Sequence, residues 1–291
     1  MKERLFSIVT DSGCDMPKAY YAAHGVELVS LGFTMDNVNY EGESGEKIGE
    51  QDFYAKLRAG SMPTTYQVTA EQARTHIEPL LRAGNDVLVL TFSSGLSGTS
   101  GSFSVACRDL AKEYPERKIR VVDTLCASMG QGLLLDYVIR KADEGASLND
   151  TANYAETIKL QICHHFTVDN LFHLKRGGRV SGATAIIGSM LKIKPIMHVN
   201  DEGKLKAIGK AMGRKKALTR LVENMEAVAD MTENDPIFIS HGDCIDDVEY
   251  IKGLIAEKFP KNPITIHYIG SVIGTHSGCG TLAIFHKGTH R

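Results

Sequence analysis

Short apolar runs that stop on small polar residues recur along the chain. LFSIV ends at Thr10 and Asp11, DVLVLTF at Ser93, KIRVVD at Thr124, PIFIS at His241 and ITIHYIG at Ser271. Runs of this length and composition read as buried strands. Helical patterns lie between most of them. Asp15 is placed to cap a helix with Pro17 in its first turn and Gly25 just past its end. Thr69 with Gln72 makes a capping box, and Gly84 stops that helix. Further helices are expected from about 99 to 113 and from Ser147 to near Cys163. Alternating strand and helix implies an α/β protein with parallel strands. The second half differs, because KPIMHV (194–199), NDEG (200–203) and KLKAIG (204–209) form a hairpin signal, so its sheet should be mixed. The change of pattern around 164–180 puts a domain junction near 165, giving an N-terminal α/β domain at 1–165 and a C-terminal mixed-sheet domain at 166–291.

Composition narrows the function classes. With 43% hydrophobic and 23% charged residues in a chain of 291, a sizeable core is expected without disulfide support. Lys plus Arg is 33 and Asp plus Glu is 35, a net charge of −2, which offers no electrostatic footprint for nucleic acid. The cysteines Cys14, Cys107, Cys126, Cys163, Cys244 and Cys279 are scattered, without CxxC or paired zinc-ligand spacing. That usage fits reduced thiols in a cytoplasmic protein. The start has no signal-peptide core, since Asp11 and Asp15 follow its apolar stretch, and no apolar run reaches the roughly 18 residues of a membrane span.

Three segments carry candidate chemistry. SSGLSGTSGS (93–102) follows a strand and opens a helix, so its backbone N–H groups and hydroxyls, beginning with Ser93 and Ser94, suit a phosphate or a carboxylate. It lacks the spacings of both nucleotide-binding fingerprints and of the GxSxG elbow, and a helix cap built from small residues explains it as well. IGSVIGTHSGCG (269–280) presents Thr275 and His276 among glycines that let a ligand approach. PTTYQVT (63–69) places Thr64, Thr65 and Gln67 before the capping-box helix. Asp11 and Asp15 flank SerGlyCys, but turn and cap roles account for both, so no metal site is expected. Lys175, Arg176 and Arg179 form a basic turn suited to phosphate or to an acidic partner. His164 and His165 sit in a strand pattern and read as structural.

Taken in order, these segments resemble the DegV family, the fatty-acid-binding subunits of bacterial fatty acid kinases. The likeness rests on IVTDSGCDMP, PTTYQVT, SSGLSGT, VVDTLCASMGQG, LFHLKRGGRVS, LKIKPIMHVNDEGKL and VIGTHSGCG. The resemblance implies a two-domain α/β carrier, not an enzyme, that holds one long-chain fatty acid in a tunnel between the domains and needs no cofactor. A separate dihydroxyacetone-kinase-like protein would phosphorylate the carboxylate to an acyl phosphate. Carried over by position, Thr65, Ser93, Ser94, Thr275 and His276 would bind the carboxylate. Arg176 and Arg179 remain for phosphotransfer or partner contact, and Ile186, Ile187, Met190 and Leu191 for the tunnel wall. Tyr66, Val68, Cys126 and Cys279 depart from the family pattern. The competing class is a stand-alone serine hydrolase or phosphotransferase using the Ser93/Ser94 turn and His276.

Overall fold

The computed structural model describes residues 4–42, 45–169, 171–180 and 192–291. The first half runs β1 (Phe6–Asp11), α1 (Lys18–Ala23), β2 (Val26–Val29), β3 (Gly32–Met35), β4 (Val38–Glu41), α2 (Glu50–Arg58), β5 (Thr64–Tyr66), α3 (Ala70–Arg82), β6 (Asp86–Thr91), α4 (Thr99–Glu113), β7 (Ile119–Asp123), α5 (Met129–Asp143) and α6 (Leu148–Ile158). The second half runs β8 (Ile162–Thr167), α7 (Phe172–Arg176), β9 (Ile193–Val199), β10 (Leu205–Met212), α8 (Arg214–Val228), β11 (Ile237–His241), α9 (Ile245–Lys258), β12 (Ile264–Tyr268), α10 (Ser271–Ser277) and β13 (Leu282–Lys287).

Strands β2, β1, β6 and β7 form a parallel sheet in that order, with Ile8 of β1 opposite both Val26 and Leu88. A six-stranded sheet of order β10-β9-β8-β13-β11-β12 is mixed: β11 and β12 run parallel, and the other neighbours are antiparallel. The protein is thus α/β with a parallel sheet before a mixed one, as the strand and hairpin signals predict. Residue 165 falls inside β8, so the mixed sheet takes up the chain from Ile162.

The apolar face of each element finds a partner. Helix α5 is the extreme case, with twelve of its fifteen residues buried. A helix buried along most of its length must be covered on both flanks, and only its charged last turn, with Arg140 and Lys141, reaches solvent. Accordingly Leu133, Leu134 and Val138 share one core with Ile8, Leu88 and Leu90 of the parallel sheet and with Phe166, Phe238 and Phe285 of the mixed sheet. The other face of the mixed sheet packs Ile239 and Ile284 against Leu218, Leu221 and Val222 of α8.

Several local expectations change. The capping box at Thr69 and Gln72 is present, and Ser147 caps α6 by accepting from the Asp150 amide. Asp15, however, caps no helix. It closes a 3-10 turn at Ser12–Cys14 with φ 50°, which swings its carboxyl inward, and Pro17 precedes α1 instead. The helix opened by Ser147 stops at Ile158, and Cys163 lies in β8. PTTYQVT is more than a loop: Thr64–Tyr66 pairs with β3 in an antiparallel sheet of order β4-β3-β5.

Because Leu134 is fully buried in the core that α5 shares with both sheets, Leu134→Ala should lower unfolding free energy by about 2–5 kcal/mol, as buried leucine truncations do. Chemical denaturation checks this, and a loss below about 1 kcal/mol would mean that the two sheets do not depend on the helix.

Candidate functional site

The strands aim a set of loops and one short helix at the space between the two larger sheets. A cavity of about 360 Å³ lies there, a size within the range of small-ligand sites. Its wall is mostly apolar. Leu31, Phe92 and Leu96 come from the loops beside the parallel sheet, Phe166, Ala283 and Phe285 from the inner face of the mixed sheet, and Val272 and Ile273 from α10.

One end is polar. Thr65 Oγ1 and His276 Nε2 lie 2.8 Å apart in a hydrogen bond that joins segments 211 residues apart in sequence. Strand β5 holds Thr65 through its pairing with Phe33, and α10 presents His276. The approach needs a glycine on the opposite side, since a Cβ on Gly177 would come 2.1 Å from His276 Nδ1. Burial, and then the nearby Arg179, Arg176 and His173, push the His276 pKa down to about 4. The imidazole is therefore neutral at physiological pH. The cationic field that depresses it is equally a field that favours an anion at this end of the cavity. Arg179 itself lines the cavity, braced by bonds from its guanidinium to the carbonyls of Leu96 (3.1 Å) and Gly177 (2.5 Å).

Deeper in, the cavity wall includes Ser128 and Ser240, which form one buried network with Asp15. Ser128 Oγ donates to Asp15 Oδ2 at 2.6 Å and lies 3.1 Å from Ser240 Oγ. Ser128 holds φ 53°, in the region that favours glycine, and the two hydroxyl contacts fix it there. Desolvation pushes the Asp15 pKa up to about 7 against the pull of the Ser128 hydroxyl and the Gly270 amide. Asp11, buried alongside, accepts from the amides of Gly13 and Phe92 and is raised to about 6, again by desolvation.

The sequence-predicted residues separate on this frame. Thr65 and His276 meet at the cavity with Tyr66 and Gln67 beside them, and Arg179 joins them. Ser93 does not: its buried hydroxyl donates to Gly203 O at 2.8 Å and tethers the strand loop to the β9–β10 turn. Ser94 is exposed, with its amide bound to Asp123. Ser97, one turn further, lines the cavity in their place. Thr275 turns its hydroxyl back to Ser271 O within α10, and Arg176 binds the Thr275 carbonyl instead of facing the cavity. Ile186, Ile187, Met190 and Leu191 lie outside the described residues. Of the four departures, Tyr66 lines the mouth with its hydroxyl donating to Tyr40 O, and Val68 packs into the core beneath α3. Cys126 takes a bond from Arg291, and Cys279 lies against the Tyr54 carbonyl. Ser128, Ser240 and Phe166 were not singled out in the sequence, because Ser240 and Phe166 owe their place to strand pairing and Ser128 to the turn before α5.

The buried Asp15 fixes a pH dependence. Its folded pKa lies above the unfolded value, so the folded state holds the proton between pH about 4 and 7 while the unfolded state releases it, and stability falls as pH rises through that window. Asp15→Asn, always neutral, should therefore be more stable than the parent at pH 8, by on the order of 2–4 kcal/mol, with the difference vanishing near pH 4. Urea unfolding of both proteins at several pH values tests this, and parallel pH profiles would refute it.

A family model described as "Uncharacterised protein, DegV family" matches residues 5–287. The chain is 42% identical to a DegV domain-containing protein of Clostridium perfringens over 97% of both chains. Among solved structures it is similar to one described as "Fatty Acid Binding of a DegV family Protein from Thermus thermophilus", with a TM-score of 0.87, 30% identity and coverage of 98% of this chain and 100% of that one. It is also similar to "DegV, a fatty acid binding protein from Bacillus subtilis", with a TM-score of 0.82, 28% identity and coverage of 99% and 100%. With nearly its whole length matched by the family model and by a relative 42% identical to it, the chain belongs to the DegV family.

Proposed function

We propose that the protein binds one long-chain fatty acid in this cavity, with the acyl chain along the apolar wall and the carboxylate at the Thr65–His276 end. It then presents that carboxylate to a separate ATP-dependent kinase, related to dihydroxyacetone kinases, for acyl phosphate formation. The observation that carries the reading is the make-up of the cavity: a mostly apolar wall, with a neutral imidazole and a threonine hydroxyl joined beside Arg179. The description of the Thermus thermophilus and Bacillus subtilis relatives as fatty acid binding supports it.

Burying each methylene contributes about 0.8 kcal/mol, so a chain of roughly sixteen carbons supplies on the order of 10 kcal/mol before ordering costs. The polar end sets register. The geometry favours the carrier over the hydrolase reading, because the Ser93 hydroxyl donates to Gly203 O while His276 pairs with Thr65. In this reading Arg179 touches the carboxylate or the incoming phosphate, and Arg176 shapes the basic turn against α10 for the kinase. The fatty acid is a ligand and no cofactor takes part. The site of action is the cytoplasm, in keeping with six free cysteines; among the described residues no helix is long and apolar enough to cross a membrane.

Denaturing extraction of the purified protein should release about one long-chain fatty acid per chain, and acids of about four carbons should compete poorly. A protein that purifies empty and takes up no labelled long-chain acid overturns the proposal. Thr65→Val and His276→Ala should retain lipid while kinase-coupled acyl phosphate formation drops about ten- to hundredfold, because a charged hydrogen bond of about 1.5–3 kcal/mol orients the head group. Loss of lipid in a folded variant would instead assign affinity to the head-group site.

A further inference from the structure

On the face of the mixed sheet turned away from the cavity, three metal-ligating side chains converge. Cys163 and His165 are two apart on β8 and so project from the same face. His286 on β13 stands directly opposite Cys163 in the antiparallel register. Their ligand atoms all lie within 4.8 Å of one another. All three are buried, Cys163 and His286 completely. The two imidazoles stack with centroids 5.2 Å apart, and their Nε2 atoms are 3.1 Å apart. Two nitrogens held about 2.0–2.1 Å from a tetrahedral ion stand roughly 3.3 Å apart, so the pair is already near chelating separation.

The surroundings fit the same geometry. His286 Nδ1 donates to Lys287 O at 2.9 Å, which leaves its Nε2 lone pair facing His165, the carbonyl-oriented arrangement that metal-binding histidines use. His165 Nδ1 is buried without a hydrogen-bond partner. A Cβ on Gly288 would come 2.6 Å from Cys163 Sγ, so only glycine leaves room for the sulfur there, and the thiol donates to His290 O at 3.1 Å, a bond that a metal would replace.

We propose that Cys163, His165 and His286 form a binding site for a thiophilic divalent transition metal, with Zn²⁺ the best match to one thiolate and two imidazoles and one position left for a donor other than a side chain. On binding, the Cys163 S–H proton leaves to solvent as the sulfur–metal bond forms. The proton that His165 Nε2 shares with His286 is replaced by one on the vacant Nδ1, so both Nε2 lone pairs reach the ion. The ion would clamp β13 to β8 directly behind Phe166 and Phe285, which line the cavity. The site does not depend on what the cavity holds.

The test is a titration of metal-free full-length protein with Co²⁺ under anaerobic conditions. One equivalent should produce intense visible bands of a tetrahedral centre together with a near-ultraviolet thiolate-to-cobalt band, both displaced by one equivalent of Zn²⁺. Cys163→Ser should lose the thiolate band, His286→Asn should weaken binding at least tenfold, and Cys279→Ser should change neither. A wild-type protein without a saturable spectrum, or a spectrum unchanged in Cys163→Ser, overturns the site. Since two of the ligands are completely buried, the wild type gives a second reading that needs no variant: Zn²⁺ at a hundredfold excess over its Kd should raise the thermal midpoint by about 5 °C. No rise refutes the site as well.

Discussion

Helix α5 has to be covered on both flanks, with only its last turn reaching solvent, and most of the architecture follows from that. Its leucines cannot face water, so the parallel sheet closes over one flank and the mixed sheet over the other, with Phe6 and Phe238 entering the same core from opposite directions. The requirement brings β8, β11 and β13 of the mixed sheet against the helix. It also explains why charged and polar groups at that junction are buried. Asp11, Asp15, Ser128 and Ser240 sit where the two sheets approach, and each is satisfied by a neighbour from the other side or by a loop amide. Such a network is held only as long as the packing around it excludes water.

The candidate site uses the same junction. An apolar wall costs nothing to keep dry, whereas His276 and Arg179 in the cavity wall, and Arg176 behind them, must be braced. Arg179 is fixed by two carbonyls, Arg176 by a third, and His276 by Thr65. The bracing leaves the end of the cavity cationic while its one titratable imidazole stays neutral. A ligand with a long apolar body and a single negative head suits both parts at once. The family membership and the cavity thus support one reading, in which burial provides affinity and a few oriented polar groups provide position.

Some of this was legible residue by residue. The apolar runs ending at Asp11, Ser93 and His241 are strands because an almost wholly buried strand leaves no polar alternation to misread. The Thr69 capping box and the 194–209 hairpin are local in sequence, and local chemistry decided them. The three-stranded sheet was hidden because β5 is three residues long with two of them exposed, so its strand character comes from pairing with β3 and not from its own composition. Asp15 misled for a related reason. Its spacing before Pro17 suits a cap, but its backbone turns left-handed and commits the side chain to Ser128, 113 residues away.

The amino-acid sequence by itself determined the α/β class, the mixed second sheet, the family likeness, and Thr65 and His276 as the residues of interest, because motif spacing and periodicity are properties of neighbours along the chain. Only the tertiary structure decided that Ser97 and Arg179 line the cavity while Ser93, Ser94, Thr275 and Arg176 do not. Which way a hydroxyl or guanidinium points is set by the carbonyl it finds, and for Ser93 that carbonyl belongs to Gly203, 110 residues away. The same holds for Cys163, His165 and His286. No spacing in the chain announces them, and antiparallel pairing of β8 with β13 makes them neighbours.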